Sequence, residues 1–125
     1  MADKIVIMLL TLDLDRYGTL GAPFFQATVA AVMDLEVEMY FAGQSTRLLI
    51  QGFAETIHPG TAREKSVYSF MKDAHEAGVK FYACSGAMKE NGLTPENAIP
   101  EMDGMRGGAA FIAEIIEPNV VTLTY

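Results

Sequence analysis

Val79-Lys80-Phe81-Tyr82-Ala83 is a short run of β-prone residues, and Cys84-Ser85-Gly86 follows it without a spacer. The run reads as a strand, entered after Gly78, which suits the C-cap of a preceding helix. A short helix then passes through Met88 and Lys89 and ends at Asn91-Gly92. A strand that feeds directly into a helix is the repeating step of an α/β fold. Working outward from this stretch, the same step recurs in both directions.

Upstream, Ile5-Val6-Ile7-Met8-Leu9-Leu10 is continuously apolar. It reads as a strand covered on both faces, as in a parallel sheet. Thr11 to Gly21 is a polar loop, and Pro23 sits near the first turn of a helix, where its missing N–H costs little. Phe25, Val29, Val32 and Met33 form an apolar stripe at helical period, the side expected to pack. Glu36-Val37-Glu38-Met39-Tyr40-Phe41 is a second strand, stopped by Gly43. Glu36 and Glu38 alternate along it and are expected to face solvent or a neighbouring chain. Ser45 is placed to cap a short helix over 46–51, closed by Gly52.

Thr61-Ala62-Arg63-Glu64 matches a capping box, and the helix after it puts Val67, Phe70, Met71 and Ala74 on one face. Downstream of the opening stretch, Thr94-Pro95-Glu96-Asn97 carries the start signals of one helical turn. Ile99-Pro100-Glu101-Met102 reads as a short edge strand, the only sheet position Pro100 tolerates. Gly107 to Ile116 is a further helix rich in small residues, and Val120-Val121-Thr122-Leu123-Thr124 is the last strand. Strands alternate with helices throughout. The expectation is one α/β domain over residues 1–125, with a mainly parallel sheet of about five strands and right-handed crossovers.

The chain has 125 residues, 50% hydrophobic and 20% charged, with a net charge of −7. This composition excludes a disordered chain. The acidic balance lacks the basic footprint of a nucleic-acid binder. The first apolar run is about six residues, against the roughly 20 that span a bilayer. No signal-peptide pattern precedes it, so no membrane partner and a cytoplasmic location are expected. Gly18-Thr19-Leu20-Gly21 is not a dinucleotide fingerprint, and no phosphate-loop motif occurs, so no cofactor is expected. His58 and His75 lack paired spacing, which argues against a metal site. The eight methionines are scattered and read as core filler.

In open α/β sheets, ligands bind beyond the carboxyl ends of the strands. Three loops qualify: Thr11 to Gly21, Gly43 to Ser45, and Cys84 to Gly86. Cys84 is the sole cysteine, so it has no internal disulfide partner. It stands at a strand's end and a helix's beginning, where free N–H groups and the helix dipole favour a thiolate. It reads either as that nucleophile or as a small buried apolar residue. Ser85 and Gly86 leave backbone N–H groups accessible as a nest for an anion, or they merely permit a turn. His58, before Pro59-Gly60, lies in a loop that faces a site or solvent. His75 falls off the apolar face of its helix and reads as a surface residue.

The tract Lys80-Phe81-Tyr82-Ala83-Cys84-Ser85-Gly86-Ala87, followed after a spacer by Gly92-Leu93-Thr94, resembles the DsrE/DsrF-like family. Gly107-Gly108-Ala109-Ala110-Phe111-Ile112, Thr19-Leu20-Gly21-Ala22-Pro23-Phe24-Phe25-Gln26-Ala27 and the final Val120 to Tyr125 strand fit the same pattern. The resemblance implies a YchN-like three-layer α/β fold and homo-oligomers, often trimers or hexamers, or assemblies with related subunits. It implies a sulfur carrier in sulfur relay or oxidation, with a persulfide or thiosulfonate adduct on the cysteine matching Cys84. Donor and acceptor proteins and small sulfur anions would be its partners. Some relatives carry a second cysteine where this chain has Met102, so here a relay would run through Cys84 alone.

Two other readings stay open. The chain could be a non-catalytic oligomeric module that binds a small anion or nucleotide, with Cys84 only lining the pocket; the expected binding residues beside Cys84 are Ser85, Gly86, Gly43, Ser45 and His58. It could also be a structural subunit of a larger assembly.

Overall fold

The apolar runs become parallel strands because each is long enough for one pass through a core and too short for two turns of packed helix. The computed structural model describes residues 2–60 and 65–125. The strands are β1 (Lys4–Leu9), β2 (Glu36–Phe41), β3 (Lys80–Cys84), β4 (Met102–Arg106) and β5 (Val120–Thr124). They form one sheet in the order β4-β3-β2-β1-β5, and every pairing is parallel. The helices are α1 (Ala22–Val32), α2 (Val67–Glu76), α3 (Ser85–Met88) and α4 (Gly108–Ile115). The expected α/β architecture with five strands is therefore the observed one.

Strand alternation sends two sets of side chains to opposite faces. Ile7, Leu9, Val37, Met39, Phe41, Phe81 and Ala83 pack on one face with Phe24 and Ala27 of α1 and Met71 and Ala74 of α2, all buried. Phe24, Phe41 and Phe81 meet there as an aromatic triad, with ring centroids 5.3–6.2 Å apart. The other face carries Lys4, Glu38, Tyr40, Tyr82, Cys84 and Arg106. It is crossed by α4, whose Phe111 ring lies 5.3 Å from that of Tyr40. The result is three layers, one of them a single short helix.

Several local expectations are corrected. The stripe Phe25, Val29, Val32 and Met33 faces outward, at 43–72% exposure. The buried side of α1 is Pro23, Phe24, Ala27 and Ala30. This helix is apolar nearly all round, so periodicity names two candidate faces. The small Ala27 and Ala30 win because they let the helix approach the sheet. The edge strand at 99–102 begins instead at Met102, and Ile99 is buried below it. Pro100 therefore lies outside the strand, as its missing N–H requires.

Glu38 is not a solvent-facing residue. Its side chain is 14% exposed and pairs with Lys4 and Arg106. The capping box at Thr61 and Glu64 lies outside the described residues. The observed cap of α2 is Ser66, whose hydroxyl accepts from the Ser69 N–H at 3.1 Å. Ser45 caps nothing either: it lies inside a 3₁₀ segment, Gly43–Leu49, entered from Ala42 without a side-chain cap.

Candidate functional site

Cys84 is the last residue of β3 and the N-cap of α3, in extended backbone with φ −68° and ψ 117°. It is a free, half-buried thiol. It shares its sheet face with Tyr82, and it pairs in register with Arg106 of β4. Ser85 and Gly86 are exposed, and nothing stands within 4 Å of where a side chain on Gly86 would project. That leaves open space over the first turn of α3.

A second strand-to-helix junction lies beside it. Arg106 ends β4, and Gly107 is the N-cap of α4. A Cβ on Gly107 would come 3.8 Å from the Ser85 hydroxyl oxygen. Neither α3 nor α4 has a side-chain cap. The first-turn N–H groups of both helices are thus without side-chain acceptors, the arrangement that suits an anion. The composition of Gly107-Gly108 directly after a strand was the available sequence signal for this second junction.

The remaining expected residues separate into neighbours and outsiders. Phe41 pairs with Ala83, so Gly43 leaves the sheet at the same end as Cys84. Gly43 adopts φ +57°, a left-handed conformation that glycine enters without strain. Its carbonyl accepts from Asn91 Nδ2 at 3.1 Å, and the same amide donates to the Ala87 carbonyl at 2.8 Å. Asn91 thereby ties the Gly43 loop to α3. Ser45 is 1% exposed. Its hydroxyl lies 2.6 Å from the Ala42 carbonyl oxygen and 2.9 Å from that of Leu9, so it is engaged inside the fold.

His58 is half-buried in the loop between β2 and α2. Its neighbour Pro59 packs against Gly21, on the α1–α2 side of the sheet. Cys84 points to the opposite face, and among the described residues no hydrogen bond joins the two. His75 is not merely solvated: its Nε2 lies 3.2 Å from an Asp103 carboxylate oxygen. The same Asp103 oxygen, Oδ2, also has a structural role: it accepts from the Phe81 N–H at 2.8 Å, where β3 and β4 shift register.

The largest feature that sequence reasoning missed is an ionic cluster next to Cys84. Arg106 Nη1 donates to Glu38 at 3.0 Å, to Glu114 at 2.8 Å and to the Tyr40 hydroxyl at 3.3 Å. Its guanidinium lies 3.8 Å from the centre of the Tyr82 ring. Lys4 joins the same carboxylates at 3.0 and 3.3 Å. Burial raises the Glu38 carboxyl above its ordinary range, with Glu114 adding to the rise and Lys4 opposing it. Burial would raise Glu114 as well, but the Glu38 carboxyl beside it and the charges of Lys4 and Arg106 outweigh it and hold Glu114 low. No spacing rule could announce this cluster, because its members come from β1, β2, β4 and α4. Among the described residues no group of three or more His, Cys, Asp or Glu side chains could hold a metal ion.

The DsrE/DsrF-like family model matches residues 16–120, a span that contains both junctions and Cys84. The chain belongs to the DsrE/DsrF-like family. The fold agrees with this family placement. The ychN protein from E. coli superposes with TM-score 0.70 at 15% identity, over 100% of each chain. A protein of unknown function from Methanobacterium thermoautotrophicum gives TM-score 0.68 at 14% identity, covering 98% of both chains. A conserved protein of unknown function from Bacteroides thetaiotaomicron gives 0.54 at 13% identity, over 98% of this chain and 95% of that one. At these identities the likeness is one of fold. No curated protein matches the chain. Among the described residues no helix is long and apolar enough to cross a membrane.

Proposed function

We propose that this DsrE/DsrF-like protein is a sulfur carrier that works through Cys84. The observation that carries the reading is the place of that thiol: it is the sole cysteine, half-buried at the carboxyl end of β3, with exposed Ser85 and Gly86 beside it. The Cys84 thiolate attacks the outer sulfur of a donor persulfide. The Cys84 S–S bond forms, the donor S–S bond breaks, and the donor leaves as a thiolate. An acceptor thiolate then attacks the carried sulfur and releases the Cys84 thiolate, so no net oxidation occurs. A thiosulfate group arrives by the same exchange from tetrathionate, which releases thiosulfate.

Backbone N–H groups around Ser85, Gly86 and the Gly107 junction would hold the anionic end of either adduct. Gly43 would border the same space. Ser45 and His58, named as binding residues from the sequence, are not part of this proposal: one hydroxyl is consumed inside the fold, and the imidazole lies on the other layer. With one thiol, the donor and the acceptor are separate molecules. The carrier acts as a homo-oligomer, a trimer or hexamer, in the cytoplasm, where thiols stay reduced.

The test is intact-mass measurement after incubation with a small-molecule persulfide donor or with tetrathionate. The wild type should gain one sulfur atom, or one thiosulfate group, and Cys84→Ala should gain neither. A wild type that stays unmodified would overturn the reading and leave a binding module in its place.

A further inference from the structure

The two edges of the sheet are finished differently. β4 forms one edge and β5 the other. On β4 the register shifts beside Phe81, and the Asp103 carboxylate turns inward to accept the Phe81 N–H at 2.8 Å. An irregular register and an inward charge are devices that keep a foreign strand off an edge. β5 has neither. It pairs with β1 in unbroken register from Val120 to Thr124. Its residues are β-branched except Leu123, and none is charged, glycine or proline.

The free groups of the β5 edge can be named. Tyr125 donates its N–H to the Met8 carbonyl and accepts from the Leu10 N–H, both at 2.8 Å, so both of its backbone groups face β1. The Asn119 carbonyl likewise accepts from the Lys4 N–H at 3.3 Å. In a parallel ladder such residues alternate with residues whose groups face away. Thr122 and Thr124 therefore present N–H and C=O groups outward. Val121 and Leu123 stand beside Ile5 and Ile7, on the α1 side of the sheet. There a groove of about 450 Å³ runs along α1, with Ile5, Leu35 and Leu123 on one wall and Phe25, Val29 and Met33 on the other.

We propose that this edge and groove receive an extended segment of an unlike protein, apolar at alternate positions and carrying lysine or arginine at one end. The Thr122 and Thr124 backbone groups bond its main chain, and every second side chain enters the groove. Charge sets the basic end. Asp3, Asp34, Glu36 and Glu117 lie where β1, β2 and β5 begin. All four are exposed, and among the described residues none is in an ion pair. The carbonyl end of α1 adds a negative pole at Met33. Lys4, the cation that starts β1, is already held by Glu38 and Glu114. A second copy laid antiparallel on β5 would bring its Tyr125 end there. The cation beside that end, Arg16, is paired with Asp13, so a copy leaves the four carboxylates unanswered.

The inference does not rest on Cys84, which lies three strands away on β3. Selection from a displayed library of random peptides of about ten residues, enough to span the strand, tests it on the full chain. The selected peptides, labelled and titrated by fluorescence anisotropy, should alternate apolar residues and end in lysine or arginine. Thr122→Pro should weaken them about tenfold. The proline spares the β1 ladder because the Thr122 N–H faces away, so circular dichroism should stay that of the wild type. Val29→Lys, on the exposed groove wall, should weaken them without touching the strand. Asp3→Lys with Glu117→Lys should weaken them and flatten their salt dependence. No selected peptide, peptides without the alternation or the basic end, or binding unchanged by both Thr122→Pro and Val29→Lys would overturn the proposal. A wild-type mass in light scattering that falls with Thr122→Pro would also overturn it, because a second copy would then hold the edge.

Discussion

Arg106 lies over the Tyr82 ring while one of its nitrogens serves Glu38, Glu114 and Tyr40 together. Removing it would leave two half-buried carboxylates with Lys4 as their one remaining cation in the cluster. Arg106→Ala should cost about 2 kcal/mol in urea unfolding, less than the roughly 3–5 kcal/mol of a fully buried pair, because the Arg106 side chain is 31% exposed. Arg106→Lys should cost less, since it keeps the charge and loses the planar stack. Tyr68 offers a second test at this scale. Its hydroxyl donates to Glu101 Oε1 at 2.8 Å, and burial, followed by that carboxylate, pushes its pKa up to about 12. The folded chain therefore holds this proton where the unfolded chain has released it. Stability should fall as pH rises from about 10 to 12, read as a falling urea midpoint, and Tyr68→Phe should flatten that slope. Cys84 was legible at this scale because a lone thiol at a strand end is a local pattern. Glu38 was misread because its partners are distant in sequence.

At the scale of elements, α2 starts where a side chain can accept its first free N–H groups. Ser66 does so through Ser69, and it lies just before the apolar face of Val67, Met71 and Ala74. Ser66→Ala should lower stability by about 1 kcal/mol, measured as a shifted denaturant midpoint with an unchanged slope. The two other long helices show the limit of pattern reading. In α1 the apolar positions support either of two faces, and the stripe with the larger side chains turned outward. In α4 the charge points inward and isoleucines point outward, the reverse of the ordinary rule. Both helices are legible as helices from their spacing. Neither face is legible, because the choice depends on how closely the helix can approach the sheet and on what lies on the sheet's other side.

At the scale of the whole molecule, the parallel sheet places β4 and β3 side by side at one edge. That adjacency brings the Cys84-Ser85 junction against the Arg106-Gly107 junction, which lie more than twenty positions apart in the chain. It also puts His58 on the other layer, away from Cys84, and buries Ser45 below the strand ends. The alternation of apolar runs with helical segments, set by local periodicity and turn residues, already determined the α/β class, the strand count and the thiol at the end of β3. Only the tertiary structure decided which junctions meet, which helix faces are buried, and which charges pair. Those outcomes follow from strand order and layer packing, which bring distant residues together and leave no periodic trace along the chain.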